Sequence, residues 1–176
     1  MDATLGGGGY ARALIERLRP GGTLLGIDRD ASAIERFARE PVPPDVTVTL
    51  AHSNFDRLAE VAAGLPPVRG IVFDLGISSD QLDDPERGFS FQREGPLDMR
   101  LDQTESRTAA DLVNRESASE LRRILMEFGQ ERWAARIAQR IVDQRKRQPL
   151  TPTKDLADPV AGAIPRGAWP KDIQVA

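Results

Sequence analysis

Three acids stand where apolar, strand-like runs meet loops. Asp2 precedes Gly6-Gly7-Gly8-Gly9, Asp28 follows Thr23 to Ile27, and Asp74 sits in the run Gly70 to Leu75. Glycines between a strand and a helix let the backbone approach a ligand closely, and the helix N-terminus favours negative charge. Asp28 lies 20 residues after Gly8, where an acid on the next strand can accept both hydroxyls of an adenosine ribose. Four glycines alone also make a plain turn, but with Asp28 they point to a nucleoside cofactor. Ala11, three residues after Gly8, satisfies the looser dinucleotide fingerprint, so glycine spacing does not choose the cofactor. Asp2 does: a carboxylate at the strand end repels a pyrophosphate and suits the cationic amino-acid end of S-adenosylmethionine. Methyl transfer is favoured over a nicotinamide-dependent oxidoreductase.

Other chemistry is excluded by composition. The 176 residues include no cysteine and one histidine, His52, so disulfides, thiolate metal sites, a His-based metal site and a Ser-His-Asp triad all lack their parts. No metal is expected. No apolar run approaches the roughly 18 residues of a membrane span and no charged-then-apolar leader opens the chain, so a cytoplasmic protein with no membrane partner is expected. Net charge is −3, but residues 1–105 carry −7 and residues 106–176 carry +4. That asymmetry suggests two surfaces, although on charge alone ordinary surface variation is the better account.

The elements that must position these acids follow from periodicity. Tyr10 to Leu18 reads as a helix with Ala11, Leu14, Ile15 and Leu18 on one face. Thr23 to Ile27 and Val46 to Leu50 read as strands, and Asp30 as the cap of a helix turning Ile34 and Phe37 inward. A helix over Asp56 to Ala63 leads to Gly70 to Leu75, read as another buried strand. Strands alternating with helices imply a parallel sheet. Residues 76–106 show neither period, and so long a loop in a compact domain is usually functional. Helices are expected near 109–114, 117–127 and 130–147, then from Thr151 to Ala163 with a cap at Thr151 or Thr153.

The third of these helices has two faces of interest. Trp133, Ala134, Ile137, Ala138, Ile141 and Val142 form an apolar stripe. Arg132, Arg136 and Arg140 recur every four residues, each about 40° from the last, along one edge of it. With Arg145-Lys146-Arg147 they make a ridge suited to RNA phosphates. A solvated face, with Glu131 and Asp143 as partners, accounts for the arginines equally well.

The stretch from Asp74 to Asp102 resembles the signature of the bacterial 16S rRNA (cytosine-N4)-methyltransferases, the RsmH or MraW family. Asp2 to Ala11, Gly26 to Asp30, Phe128 to Val142 and Gln148 to Ala157 are similar to that family as well. The resemblance implies S-adenosylmethionine as cofactor and 16S rRNA of the small ribosomal subunit as partner, with the N4 amine of cytosine 1402 as the methyl acceptor. It implies a cofactor pocket of Gly8, Gly9, Tyr10, Asp28, Phe55, Asp74 and Gln81. Asp28 would bind the ribose hydroxyls, Phe55 would enclose the adenine, Gln81 would reach in from the loop, and Asp74 would face the methyl donor and help orient the amine. For Phe55 taken alone, a core aromatic packing its helix is the better account. Tyr10 departs from the histidine more usual there, while keeping a planar ring with a hydrogen-bonding tip.

The expected fold class is α/β. A partial Rossmann-like methyltransferase sheet with the Asp74 loop would span residues 1–105, and an inserted all-helical domain that docks RNA would span 106–176. The similarity also implies a fragment truncated at both ends, inactive alone, with an open edge on Gly70 to Leu75. A non-catalytic nucleotide- or RNA-binding module is the rival reading.

Overall fold

The computed structural model describes residues 1–165, and the last eleven residues of the expected helical domain, 166–176, lie outside them. The chain divides into two compact units, residues 1–80 with 101–104, and residues 81–100 with 105 onward. The boundary therefore differs from the expected one at residue 105, because residues 81–100 pack with the helical segments.

In the first unit, β1 (Thr23–Asp28) pairs in parallel with β2 (Thr47–His52), in register from Thr23 opposite Thr47 to Asp28 opposite His52. Parallel pairing needs a crossover, and α2 (Ala31–Phe37) supplies it. Asp30 caps that helix, its carboxylate accepting the Ser32 N–H at 3.0 Å, as an N-cap residue should. Leu24, Leu25 and Ile27 of β1 are fully buried, the continuous apolar pattern of a strand covered on both faces. Next to β1 lies Asp2, whose N–H donates to Leu25 O and whose carbonyl accepts from Ile27 N–H. Asp2 also forms a parallel bridge with Val72. The parallel order is thus the Val72 segment, the Asp2 segment, β1, β2. Helix α1 (Gly9–Leu18) buries Ala11 and Ile15 against Leu5, Leu24 and Phe37, with Leu14 and Leu18 partly covered. Asp102 pairs with His52 at 3.4 Å and so holds residues 101–104 to this unit.

Two expectations fail in this unit. Gly70 to Leu75 is not a buried strand: Ile71, Phe73 and Leu75 are exposed, Leu75 at 70%. Its backbone is paired on one side only, through Val72 N–H to Met1 O and Ala3 N–H to Val72 O. An apolar run reports readiness for burial, but a neighbour must supply it, and the edge of Phe55 against Phe73 leaves this face largely exposed. The helix over Asp56 to Ala63 shortens to a 3-10 turn, Phe55–Arg57, and one α-helical turn, α3 (Leu58–Val61). The side chain of Asn54 accepts the Asp56 N–H and starts the tighter turn.

Among the described residues, the second unit holds four helices around one core. They are α5 (Ala109–Arg115), α6 (Ala118–Glu127), α7 (Ala134–Arg145) and α8 (Thr153–Ala163); the short α4 (Ser79–Asp83) precedes them at the unit boundary. Thr108 and Asp111 form a reciprocal capping box on α5, and Ser117 caps α6. The apolar stripe of α7 faces inward as its spacing predicts, with Ala134, Ile137, Ala138 and Ile141 buried against Leu97, Val113, Leu121 and Leu150. Helix α8 starts one step from expectation: Pro152 is its cap residue and makes no side-chain cap bond, and Thr153 is instead buried, its N–H on Gly95 O.

Residues 81–100 are not a loose loop. They contain a 3-10 turn, Pro85–Arg87, and an antiparallel bridge joins Pro96 to Pro152. Leu97 N–H donates to Thr151 O at 2.7 Å. Gly88 has φ +70, and a Cβ there would lie 2.2 Å from Pro96 O, so only glycine permits this turn.

Candidate functional site

The glycine loop is built around Asp28. Its Oδ2 accepts the Gly6 N–H at 2.7 Å and its Oδ1 accepts the Asp30 N–H at 2.8 Å. One carboxylate thus fixes both the entry to the loop and the turn into α2. Each oxygen keeps a free lone pair, which is what two ribose hydroxyls require. Gly8 caps α1 at φ +77, and a Cβ there would meet the Phe37 ring at 2.5 Å. Its glycine is therefore explained by packing alone. Gly9 differs: a Cβ would meet nothing within 4 Å, leaving open space at the first turn of α1.

Asp2 is fully buried, and its Oδ2 has no hydrogen-bond partner, while Oδ1 accepts the Thr4 N–H at 3.2 Å. Burial pushes its pKa up; the Thr4 N–H and the terminal ammonium pull it down, and the charges of Asp28 and Asp74 raise it further. The three acids picked out by position in the sequence therefore share one electrostatic neighbourhood. Asp74 is exposed. Its backbone N–H donates to the Thr4 hydroxyl at 2.7 Å, and its carboxylate accepts no hydrogen bond among the described residues. Asp2, read from the sequence as the acid that suits the cationic end of a cofactor, is joined here by Thr4, which donates its N–H to Asp2 and accepts the Asp74 N–H; nothing in the sequence marks Thr4.

Phe55 is 43% exposed and meets Phe73 edge to face, ring centres 5.7 Å apart at 89°. It is not a core aromatic, so the packing account of this residue fails. Tyr10, 53% exposed, stands in the first turn of α1 beside Gly9. Six of the seven expected pocket residues thus belong to the first unit. Gln81 does not: it is buried and falls in the second.

These groups suit a cation better than an anion. A buried carboxylate with an unpartnered oxygen, beside two further acids, stabilises positive charge and repels a pyrophosphate. The donor set fits the sulfonium and ammonium groups of S-adenosylmethionine. No three His, Cys, Asp or Glu side chains among the described residues are arranged to hold a metal ion.

On the second unit, Arg132, Arg136 and Arg140 are all exposed, and none pairs with a carboxylate among the described residues. The two acids that might have neutralised them are engaged elsewhere. Glu131 accepts the Trp133 backbone N–H at 2.6 Å, and Asp143 binds Gln139 and Lys146. Arg132 and Arg136 lie over the Trp133 ring, at 5.1 Å and 5.5 Å from its centre. No described helix is long and apolar enough to cross a membrane.

The sequence matches the MraW methylase family over residues 1–176. It is 47% identical over 171 residues to a ribosomal RNA small subunit methyltransferase H of Geotalea uraniireducens, covering 96% of this chain and 55% of that protein. Proteins of the same name from Thermobifida fusca and Pelobacter propionicus are each 48% identical, over 96% and 100% of this chain and 51% and 57% of their own lengths. The chain spans about half the length of the curated relatives it matches.

Proposed function

This chain belongs to the MraW methylase family, and from that we propose that it serves S-adenosylmethionine-dependent methylation of the N4 amine of a cytosine in 16S rRNA, cytosine 1402 by resemblance. The observation that carries the reading is the exposed Asp74 carboxylate, free of hydrogen bonds, sharing a neighbourhood with Asp28 and buried Asp2. The parallel order of the first unit supports a Rossmann-like sheet, with ligand bound beyond the carboxyl ends of its strands. The second unit is then the helical insertion that docks RNA through Arg132, Arg136 and Arg140. A ribosomal substrate supports a cytoplasmic location.

When bound, the cofactor supplies an electrophilic methyl carbon on a sulfonium, which leaves as a neutral thioether. Asp28 would hold the ribose hydroxyls, Gly8 and Gly9 would let the cofactor approach the backbone, and Tyr10 and Phe55 would offer it ring surface. Asp2 supplies negative charge behind the site. The cytosine amine is a poor nucleophile because its lone pair is delocalised into the ring. The Asp74 carboxylate accepts a hydrogen bond from that amine, helps localise the pair, and takes the proton that N4 sheds as the new bond forms. The rest of the rate comes from alignment of amine, methyl carbon and sulfur. A base in folded RNA must be unstacked to reach such a site.

The test is incubation of the full-length protein with S-adenosylmethionine and unmodified small ribosomal subunits, followed by nucleoside mass analysis. N4-methylated cytidine is expected. Cofactor binding without methyl transfer would support the non-catalytic binding module instead.

A further inference from the structure

The central segment of the first unit departs from both of its neighbours at one residue, Thr4. Toward the Val72 segment, Val72 N–H donates to Met1 O and Ala3 N–H donates to Val72 O, both at 2.9 Å. A regular parallel ladder would next join Asp74 N–H to Ala3 O. That donor turns instead to the Thr4 hydroxyl, at 2.7 Å. Toward β1, Ile27 N–H donates to Asp2 O, and in a regular ladder Thr4 N–H would donate to Ile27 O. Leu5 N–H takes that place, and Thr4 N–H goes to Asp2 Oδ1 at 3.2 Å. The segment is therefore bulged at Thr4. Bulges gather beside active sites, where they re-aim side chains. This one stands at the carboxyl ends of the strands, where open α/β sheets bind ligands.

Thr4 thus touches two of the three clustered acids, Asp2 through its backbone and Asp74 through its side chain. Its hydroxyl is also the last tie on the Val72 segment before the loop. Leu75, Gly76 and Ile77 are exposed, and their backbones make no hydrogen bond among the described residues. Without the hydroxyl, the nearest tie to the Asp74 backbone recedes two residues, to Val72. A carboxylate that must meet an amine held in line with a methyl–sulfur bond tolerates little such freedom, since a misplacement of about 1 Å can cost about 100-fold in rate.

We propose that Thr4 is a positioning residue for methyl transfer: its hydroxyl fixes the backbone of Asp74 and so aims that carboxylate at the acceptor amine. The role rests on the reading of Asp74 as the group that meets the amine; the tie itself is drawn from the broken ladder. Because Thr4 holds Asp2 through a backbone N–H, loss of the hydroxyl leaves that bond, and the charge offered to the cofactor, in place.

The test compares two variants of the full-length protein. Thr4→Val keeps the branched shape and the backbone N–H and removes the hydroxyl; Thr4→Ser restores the hydroxyl. Single-turnover methylation of small ribosomal subunits should slow about 10- to 100-fold in Thr4→Val, with S-adenosylmethionine and subunit affinities within about twofold of the wild type. Thr4→Ser should recover the rate to within about threefold. Hydrogen exchange without cofactor or RNA reads the tie directly: the Asp74 amide should exchange about 3- to 10-fold faster in Thr4→Val than in the wild type or Thr4→Ser. Should Thr4→Val fail to fold, Thr4→Ala carries the same measurements. An unchanged rate, unchanged exchange, or rate and cofactor affinity lost together overturns the proposal. An active wild type whose rate survives Thr4→Val sinks the positioning role alone. A wild type that transfers no methyl, while its Asp74 amide responds to Thr4→Val as expected, sinks the enzymatic reading and upholds the tie.

Discussion

Asp28→Asn separates the two tasks assigned to this acid, holding the glycine loop and holding the cofactor. The native carboxylate accepts two backbone N–H groups, from Gly6 at 2.7 Å and Asp30 at 2.8 Å. An amide has one acceptor oxygen, so in either orientation one of these N–H groups faces an NH2 donor. Losing one charge-assisted hydrogen bond and weakening the other costs about 2 kcal/mol. For a unit of roughly 150–250 residues that lowers the melting temperature by about 4–8 °C. If the same oxygens also receive the ribose hydroxyls, S-adenosylmethionine affinity falls by about 10- to 100-fold, one to two decades at about 1.4 kcal/mol each. Denaturant melts of the full-length protein read the first effect and calorimetric titration with the cofactor reads the second. An unchanged melt would refute the loop-holding argument. A lowered melt with unchanged affinity would leave Asp28 a structural clamp and remove it from the cofactor site.

Asp74→Asn should lower turnover more than it changes cofactor affinity, because the carboxylate has no structural partner to lose; equal losses in single-turnover and binding measurements would make it a binding residue only. Replacing Arg132, Arg136 and Arg140 with Gln should weaken RNA binding and reduce the slope of log affinity against log salt by about 2, at roughly 0.7 per phosphate neutralised; an unaltered slope would return the ridge to a solvated face. Asp2 titrates above its ordinary value of 3.8 in the folded protein, so its contribution to stability is present below that value and is lost as pH rises through the raised pKa. Unfolding free energies of the wild type measured against Asp2→Asn over that window should therefore drift in favour of the variant with rising pH, and a constant difference would refute the shift.

What the sequence disclosed was whatever depends on local periodicity and local capping. The stripe of α7, the buried β1, the Asp30 cap and the inward Phe37 all follow from spacing, because a helix or strand must hide the face its own residues make apolar. What it withheld depends on distant backbone. Residues 81–100 have no period of their own; their order comes from Leu97 and Thr153 bonding to segments more than 50 residues away. Gly70 to Leu75 shows the converse, an apolar run whose burial requires a neighbour that its own residues cannot specify. Gln81 enters the cofactor pocket by resemblance alone; it stands in the short α4, which straddles the boundary between the units.

Asp2 ties these levels together. Its backbone is committed on both sides, to Leu25 and Ile27 through one pair of bonds and to the Val72 segment through the bridge, so the side chain cannot leave the interior without parting the sheet. The sheet therefore holds in place a carboxylate whose Oδ2 has no donor and whose neighbours Asp28 and Asp74 add repulsion. Such an arrangement is unfavourable in isolation, with the Thr4 N–H on Oδ1 its one hydrogen-bonded return to the fold among the described residues. Binding of a cation removes the penalty and is strengthened by it, since the charge it meets is already desolvated and fixed. On the proposed reading, cofactor recognition and local instability at the strand ends are one property, and Asp2→Asn should trade one against the other: a more stable unit that binds S-adenosylmethionine less tightly.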